Sequence, residues 1–176
     1  MTILRTQRLT LTPVSDTDFN DLTQMWSEEG VTRYISGQPM CAEDVWLRLL
    51  RDIGHWQILG YGNWVLRDHE GTLVGSVGLF DYRRDLTHPF TAPEVGWAMT
   101  SPFHGKGLGR EAVTAVLDYA DTVLGFERTV CMISDPNTPS IKLAETVGFR
   151  HYGQGLHKGS TLGLYERQRP TTKSTG

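Results

Sequence analysis

Residues 94–112 read EVGWAMTSPFHGKGLGREA, and this stretch decides the fold. Glu94 to Thr100 is predicted to form a strand, and the apolar spacing becomes helical from Leu108 onward. Between them, glycine recurs at positions 105, 107 and 109. The first N–H groups of a helix have no partner within the helix, and the helix dipole adds partial positive charge there. A strand, a glycine-rich loop and a helix in this order therefore predict an anion-binding site.

Two common phosphate-binding loops do not fit this stretch. A P-loop requires GxxxxGK followed by Ser or Thr, but Thr100 stands at the first glycine position and Gly107 follows Lys106. A dinucleotide-binding loop requires GxGxxG, but Arg110 stands at the third glycine position. A turn that only packs a helix on a strand remains as an alternative. One glycine would suffice for such a turn, and each further one costs about 0.5–1 kcal/mol of backbone entropy.

Hydrophobic periodicity divides the rest of the chain into strands and helices. Further strands are predicted at residues 9–12, 63–67, 73–80, 128–133, 149–154 and 161–166. Helices are predicted at residues 16–29, from 42 to the region of Gly54, at 108–124 and at 139–147. The pattern indicates one α+β domain over residues 1–168 and a flexible polar tail over residues 169–176.

Composition excludes several function classes. The net charge of −3 provides no basic field for nucleic acid, so no nucleic-acid partner is expected. No apolar run reaches the length of a membrane span, which predicts a cytoplasmic protein without membrane contact. Cys41 and Cys131 are expected to be reduced, and the histidines lack metal-ligand spacing, so no metal is expected. The chain is expected to be a monomer or a homodimer.

Three segments together resemble one known family. EVGWAMTSPFHGKGLGREA, the later DPNTPSIKLAETVGF (135–149) and the opening LRTQRLTLTPVSDTDF (4–19) are similar to GNAT N-acetyltransferases. The similarity is greatest to the branch of the ribosomal-protein N-terminal (alanine/serine) acetyltransferases. The resemblance implies α/β/α layers, with a mixed central sheet of about six or seven strands and about four helices. It also implies acetyl-CoA as the cosubstrate.

The resemblance assigns residues to the coenzyme. Loop amides would hold the pyrophosphate, the preceding strand would pair with the pantetheine arm, and Asn137 and Ser140 would lie near the arm and the thiol. His104 departs from the Gln or Arg that the family usually has there, and Lys106 and Arg110 are alternatively solvated surface cations. The full coenzyme-binding set is Trp97, Ala98, Met99, His104, Gly105, Lys106, Gly107, Leu108, Gly109, Arg110, Asn137 and Ser140.

Two residues are candidates for catalysis. Ser140 would stabilise or protonate the departing thiolate, since Asn137 and Thr138 already suffice to cap the next helix. Glu94 would accept the amine proton directly or through water; alternatively, it is an exposed or salt-bridged carboxylate at a strand end. Deprotonation at pH 7 costs roughly 4.6 kcal/mol for a lysine amine but only about 1–1.4 kcal/mol for an α-amino group. A base therefore matters less if the acceptor is a protein N-terminus.

The acceptor site is predicted from aromatic and cationic side chains of the early helices and the terminal hairpin. The candidates are Trp26, Arg33, Tyr34, Tyr82 and Tyr152, with Trp56 and Tyr61 considered beside them. The predicted reaction moves the acetyl group of acetyl-CoA to a protein N-terminus, an amino acid or a small amine. The alternative is a module of the same fold that binds or senses acyl-CoA without turnover.

Overall fold

Eight strands form one mixed sheet in a computed structural model that describes residues 2–87 and 89–171. The strands are β1 (Leu4–Arg5), β2 (Thr10–Pro13), β3 (Asn63–Arg67), β4 (Leu73–Phe80), β5 (Glu94–Met99), β6 (Arg128–Ile133), β7 (Arg150–His157) and β8 (Ser160–Gln168). The helices are α1 (Phe19–Trp26), α2 (Glu29–Thr32), α3 (Ala42–Leu59), α4 (Leu108–Thr122) and α5 (Thr138–Thr146). Neighbouring strands follow the order β1-β2-β3-β4-β5-β6-β8-β7.

The sheet opens between β5 and β6, its one parallel pair among the described residues. The two strands share a single register pair, Glu94 with Val130, supported by a 3.0 Å bond from the Val130 N–H to the Pro93 carbonyl. By contrast, β4 stays paired with β5 along its length, from Phe80 opposite Glu94 to Gly75 opposite Met99. The two parallel strands therefore separate beyond Glu94, and we call the space between them the strand gap.

Helices cover both faces of the sheet. Helix α4 buries an apolar stripe that includes Ala112, Val113 and Val116, and its Tyr119 ring meets the Trp64 ring edge-on at 5.6 Å. On the other face, His55 of α3 contacts the Phe80 ring edge-on at 6.3 Å. The core lies between these helices and the sheet, with its side chains excluded from water on both faces.

The predicted α+β class is confirmed. Strands β7 and β8 extend further than predicted, and β1 is an additional strand. The sheet has eight strands rather than six or seven, because the two-residue β1 escapes a pattern search. Helix α3 passes Gly54 and ends at Leu59, where Gly60 takes a left-handed φ of 75°. A glycine inside a helix costs roughly 1 kcal/mol, which the buried stripe of α3 outweighs.

The first predicted helix is also divided. A short 3-10 turn at Asp16–Asp18 precedes α1, and α2 follows as a separate helix, so there are five α-helices instead of four. Strand β8 ends at Gln168, and residues 172–176 of the predicted tail lie outside the described residues. Within the described ranges, no helix is both long and apolar enough to span a bilayer.

Candidate active site

The glycine loop, residues 104–109, joins the far end of β5 to α4. Gly105 and Gly107 have φ values of 71° and 75°, which side-chain-bearing residues rarely adopt. Gly107 is the N-cap of α4, and its carbonyl accepts the N–H of Glu111. Residues 104–107 are exposed, so the N–H groups of the first turn of α4 face a surface open to an anion. This geometry fits a pyrophosphate.

Arg8 ties the glycine loop to the N-terminal strands. Its Nη1 donates to the Lys106 carbonyl at 3.0 Å, and its Nε donates to the Glu111 carboxylate at 2.7 Å. Glu111 also accepts the Thr6 hydroxyl at 2.6 Å and the Arg8 N–H at 2.8 Å. Burial raises the pKa of Glu111, but the bonds from Thr6 and Arg8 and the Arg8 charge outweigh it and hold that pKa below its usual value.

The side chains of the loop differ in their contacts and in their exposure to solvent. His104 Nε2 lies 2.8 Å from the Met99 carbonyl, which only accepts, so this nitrogen carries the hydrogen and His104 fastens the loop back on β5. Lys106 Nζ lies 5.2 Å from the centre of the Phe103 ring, and Arg110 is exposed. Leu108 is buried in the core and offers an anion only its backbone.

Trp97 connects β5 to α5 across the strand gap. Its indole Nε1 donates to Ser140 Oγ at 3.3 Å. An indole N–H can only donate, so this contact uses Ser140 as an acceptor and leaves the Ser140 hydrogen for another partner. Asn137 caps α5 by accepting the Ser140 N–H at 3.3 Å, so that, of the two expected capping residues, Asn137 is the N-cap and Thr138 begins the helix.

Glu94 begins β5 at the end opposite the glycine loop. Its side chain is buried and accepts from Nε and Nη2 of Arg84, the latter at 2.8 Å. Glu94 is thus salt-bridged, and its role as the proton acceptor stays a prediction. An acceptor amine would reach Glu94 only through the lone pairs that Arg84 leaves open.

A cavity of about 290 Å³ lies beside Glu94 and is called the Glu94 cavity. Asp81, Arg83 and Arg84 line it together with the Tyr82 ring. Tyr82 stacks on Phe80 at 4.6 Å and donates its hydroxyl to Asp52 of α3 at 2.9 Å. Burial and the Asp52 charge raise the pKa of Tyr82 far above its usual value, so the phenol stays protonated. Tyr82 therefore lies at the cavity wall with its ring and hydroxyl both held by neighbours, and its contact with an acceptor stays a prediction.

The remaining acceptor candidates do not meet at this cavity. Trp26 is only 2% exposed and lies in the core under the Arg48 guanidinium, which corrects the expectation that its ring faces an acceptor. Trp56 is likewise buried. Arg33 pairs with Glu29 on the surface, Tyr34 and Tyr152 are exposed elsewhere, and Tyr61 packs against His55.

The groups along β5 follow a spatial order. Glu94 and the cavity stand at one end of β5 and Trp97 with Ser140 near its middle; the glycine loop follows the other end, Met99, which lies about 16 Å from Glu94 along the strand. Side chains alternate between the faces of a strand, so Glu94 and Trp97 point to opposite faces. Met99 shares the Trp97 face, where its side chain lies within 4 Å of the Cβ position of Gly109 in α4.

Comparison with known proteins identifies the family of this chain. The family model described as "Acetyltransferase (GNAT) domain" matches residues 8–150. The chain belongs to the GNAT acetyltransferase family. This GNAT acetyltransferase is 28% identical, over 155 residues, to the uncharacterized N-acetyltransferase p20 of Bacillus licheniformis, covering 87% of this chain and 85% of that protein.

Solved structures agree on the fold of this GNAT acetyltransferase. A structure described as a GnaT-family acetyltransferase from Bordetella pertussis is 32% identical with a TM-score of 0.84, covering 95% of this chain and 99% of that one. A spermidine N-acetyltransferase from Vibrio cholerae, in complex with CoA and spermine, has a TM-score of 0.74 at 19% identity, covering 93% and 97%. At this identity the second structure shows the fold alone.

Sequence reasoning on this GNAT acetyltransferase missed Arg8, Arg84, Asp52 and Glu111. Their contacts join separate elements, with separations in sequence from 10 residues for Arg84 and Glu94 to 103 for Arg8 and Glu111. The one local signal was the charge of the DYRR segment beside Tyr82, which reads as an ordinary polar loop. In the described part of the chain, no three His, Cys, Asp or Glu side chains are grouped as metal ligands would be.

Proposed function

We propose that this enzyme transfers the acetyl group of acetyl-CoA to a primary amine that enters through the Glu94 cavity. The observation that carries the proposal is the order along β5: a cavity with a carboxylate, then a hydroxyl in the strand gap, then an anion-binding loop. In acyl transfer from a coenzyme thioester to an amine, such groups can accept the amine proton, hydrogen-bond the departing sulfur and hold the coenzyme, and this order would place them along one coenzyme.

The coenzyme would be held by backbone as much as by side chains. The amides of the glycine loop suit the pyrophosphate, and the separated edge of β5 beyond Glu94 suits the amide-bearing pantetheine arm. Trp97, Ala98 and Met99 lie on that edge. Asn137 stands beside it at the start of α5. Lys106 and Arg110 would add positive charge to the loop.

The proposed chemistry is direct attack. The amine nitrogen bonds to the carbonyl carbon of the thioester, the carbon–sulfur bond breaks, and the amine loses one proton. A backbone N–H of β5 stabilises the developing oxyanion. Ser140 donates a hydrogen bond to the departing thiolate, because the Trp97 contact leaves its hydroxyl hydrogen available, and the thiolate then takes a proton from water.

Glu94 is proposed to take the amine proton through water. Both of its oxygens already accept hydrogen bonds from Arg84, so a bridging water on a remaining lone pair is the accessible route. Bulk water then carries the proton away. Glu94 needs to be only a weak base if the acceptor is an α-amino group, because deprotonation of that group at pH 7 costs only about 1–1.4 kcal/mol.

Charge in the cavity supports a small monoamine acceptor. The lining contains Arg83 and Arg84 against Asp81 and Glu94, so the carboxylates are matched by guanidiniums. A polyamine carries several positive charges and would need an excess of carboxylates. A protein N-terminus, an amino acid or a small amine fits the cavity better.

The test is an acetyl-CoA-dependent assay of free thiol release against three acceptor panels: peptides with free N-termini, amino acids with small monoamines, and polyamines. We expect turnover with the first or second panel and a higher thermal midpoint with acetyl-CoA than with ATP or NAD, because ligand binding stabilises the folded state. A thermal shift without turnover on any panel would leave a non-catalytic acyl-CoA-binding module instead. No shift with any CoA species would refute the loop assignment.

A further inference from the structure

Arg8 stands outside the coenzyme-binding set but is bonded to both ends of the turn that begins α4. Its guanidinium holds the Lys106 carbonyl at 3.0 Å and the Glu111 carboxylate at 2.7 Å. The Glu111 N–H donates to the Gly107 carbonyl at 3.2 Å. These bonds close a ring through Arg8, Lys106, Gly107 and Glu111.

This ring determines which way the Lys106–Gly107 peptide faces. The peptide is trans and planar, so its C=O and N–H point in opposite directions. Because Arg8 binds the Lys106 oxygen, the Gly107 N–H is directed away from Arg8. Gly107 has a φ of 75°, and glycine has no Cβ to oppose rotation of the adjacent peptide. Without Arg8 the same peptide is free to turn its oxygen, rather than its hydrogen, toward an anion.

We propose that Arg8 is a positioning residue for the coenzyme: it presents the Gly107 N–H to the pyrophosphate without touching the coenzyme itself. The proposal rests on the proposed function, since it assumes that the glycine loop receives the pyrophosphate. The Arg8 side chain is 46% exposed, and ion pairs of this exposure contribute little to stability. Its contribution therefore lies in loop geometry more than in folding.

The experiment compares acetyl-CoA with S-acetylpantetheine, which has the same thioester arm but no pyrophosphate. The measured quantity is the ratio of kcat/KM for the two donors, with the acceptor found above. We expect Arg8→Ala to lower this ratio roughly 10-fold, the loss of about one hydrogen bond to a charged group, through a higher KM for acetyl-CoA. A general folding defect would lower both donors' kcat/KM and leave the ratio unchanged.

Two further variants separate orientation from charge. Arg8→Lys keeps the positive charge but lacks the planar fork that reaches Glu111 and Lys106 together. We expect it to behave like Arg8→Ala. Arg5→Ala is the matched control, because Arg5 lies on β1 and donates to Thr10, away from the loop; its ratio should equal that of the wild type.

The outcomes separate two claims: that the glycine loop binds the pyrophosphate, and that Arg8 positions the loop for it. A wild-type enzyme that uses both donors equally well refutes pyrophosphate binding by the loop and, with it, the role of Arg8. If the wild type prefers acetyl-CoA and both Arg8 variants retain the full preference, only the role of Arg8 is refuted. If Arg8→Lys alone restores the preference, charge and not peptide orientation is responsible, and the proposal is wrong.

Discussion

Ser140 carries the sharpest prediction at the scale of a single residue. Its hydroxyl already accepts from Trp97, so its hydrogen is directed to another partner, which we assign to the departing sulfur. Ser140→Ala should lower kcat by roughly 10²-fold, the usual contribution of a positioned hydrogen-bond donor to developing negative charge, with little change in the KM for acetyl-CoA. Steady-state kinetics with varied acetyl-CoA measure both constants.

A hydroxyl deletion elsewhere on α5 provides the control. Thr146 donates to the Lys142 carbonyl on an exposed turn of the same helix, so Thr146→Val should leave kcat unchanged. A Ser140→Ala enzyme with wild-type kcat would remove Ser140 from the mechanism. A rise in KM alone would make it a binding residue.

At the scale of elements, Glu111 joins the first turn of α4 to the N-terminal strands. Its pKa is below the usual value of 4.5, so the folded protein binds fewer protons there than the unfolded chain. The stabilisation from this carboxylate is therefore complete above about pH 5 and is lost as pH falls through the lowered pKa. Glu111→Gln should cost about 1 kcal/mol of unfolding free energy at neutral pH and progressively less below pH 4.

Urea unfolding at a series of pH values measures this difference. Glu70→Gln is a suitable control, since Glu70 lies exposed in the β3–β4 turn and its side chain makes no ion pair with any described residue. A Glu111→Gln deficit that stays constant from pH 7 to pH 3 would contradict the assignment of the lowered pKa to the folded state.

The elements themselves show where sequence reasoning succeeds. Strands β3, β4 and β6 have the predicted bounds, because buried strands carry uninterrupted apolar runs between polar turns. The start of α4 at Leu108 was also predicted, since glycine and an apolar stripe mark it together. The end of α3 was missed because Gly54 suggests a stop that tertiary packing overrides.

The candidate site likewise contains features that the sequence predicts and features that it does not. The backbone conformation of the glycine loop was predictable, because glycine spacing marks the positions with positive φ, while its binding of the coenzyme stays a prediction. The Arg84–Glu94 and Arg8–Glu111 pairs were not, because nothing in a single sequence states which distant charges meet. The burial of Trp26 was missed for a related reason: an amphipathic helix predicts which residues are apolar, not whether a ring lines a cleft or fills the core.

At the scale of the whole molecule, the strand gap should be visible in amide hydrogen exchange. Backbone groups of β5 that face the gap beyond Glu94 have no strand partner in the described residues, so their N–H groups should exchange rapidly in the free protein. We expect acetyl-CoA to slow exchange in peptides covering residues 95–99 and 105–110. Peptides covering β3 should change little, since β3 is paired on both sides. Unchanged exchange at 95–99 would contradict pairing of the pantetheine arm with β5.

The single register pair between β5 and β6 makes the stability of the protein depend on its ligand. A coenzyme lying in the gap would take the place of a missing strand and join the two parts of the sheet. Mass action then ties the folded fraction to the metabolite, by about 2.7 kcal/mol when its concentration is 100 times its Kd. The enzyme without acetyl-CoA would therefore be cleaved by proteases more readily than the loaded enzyme. Protease digestion at graded acetyl-CoA concentrations would show whether survival follows occupancy.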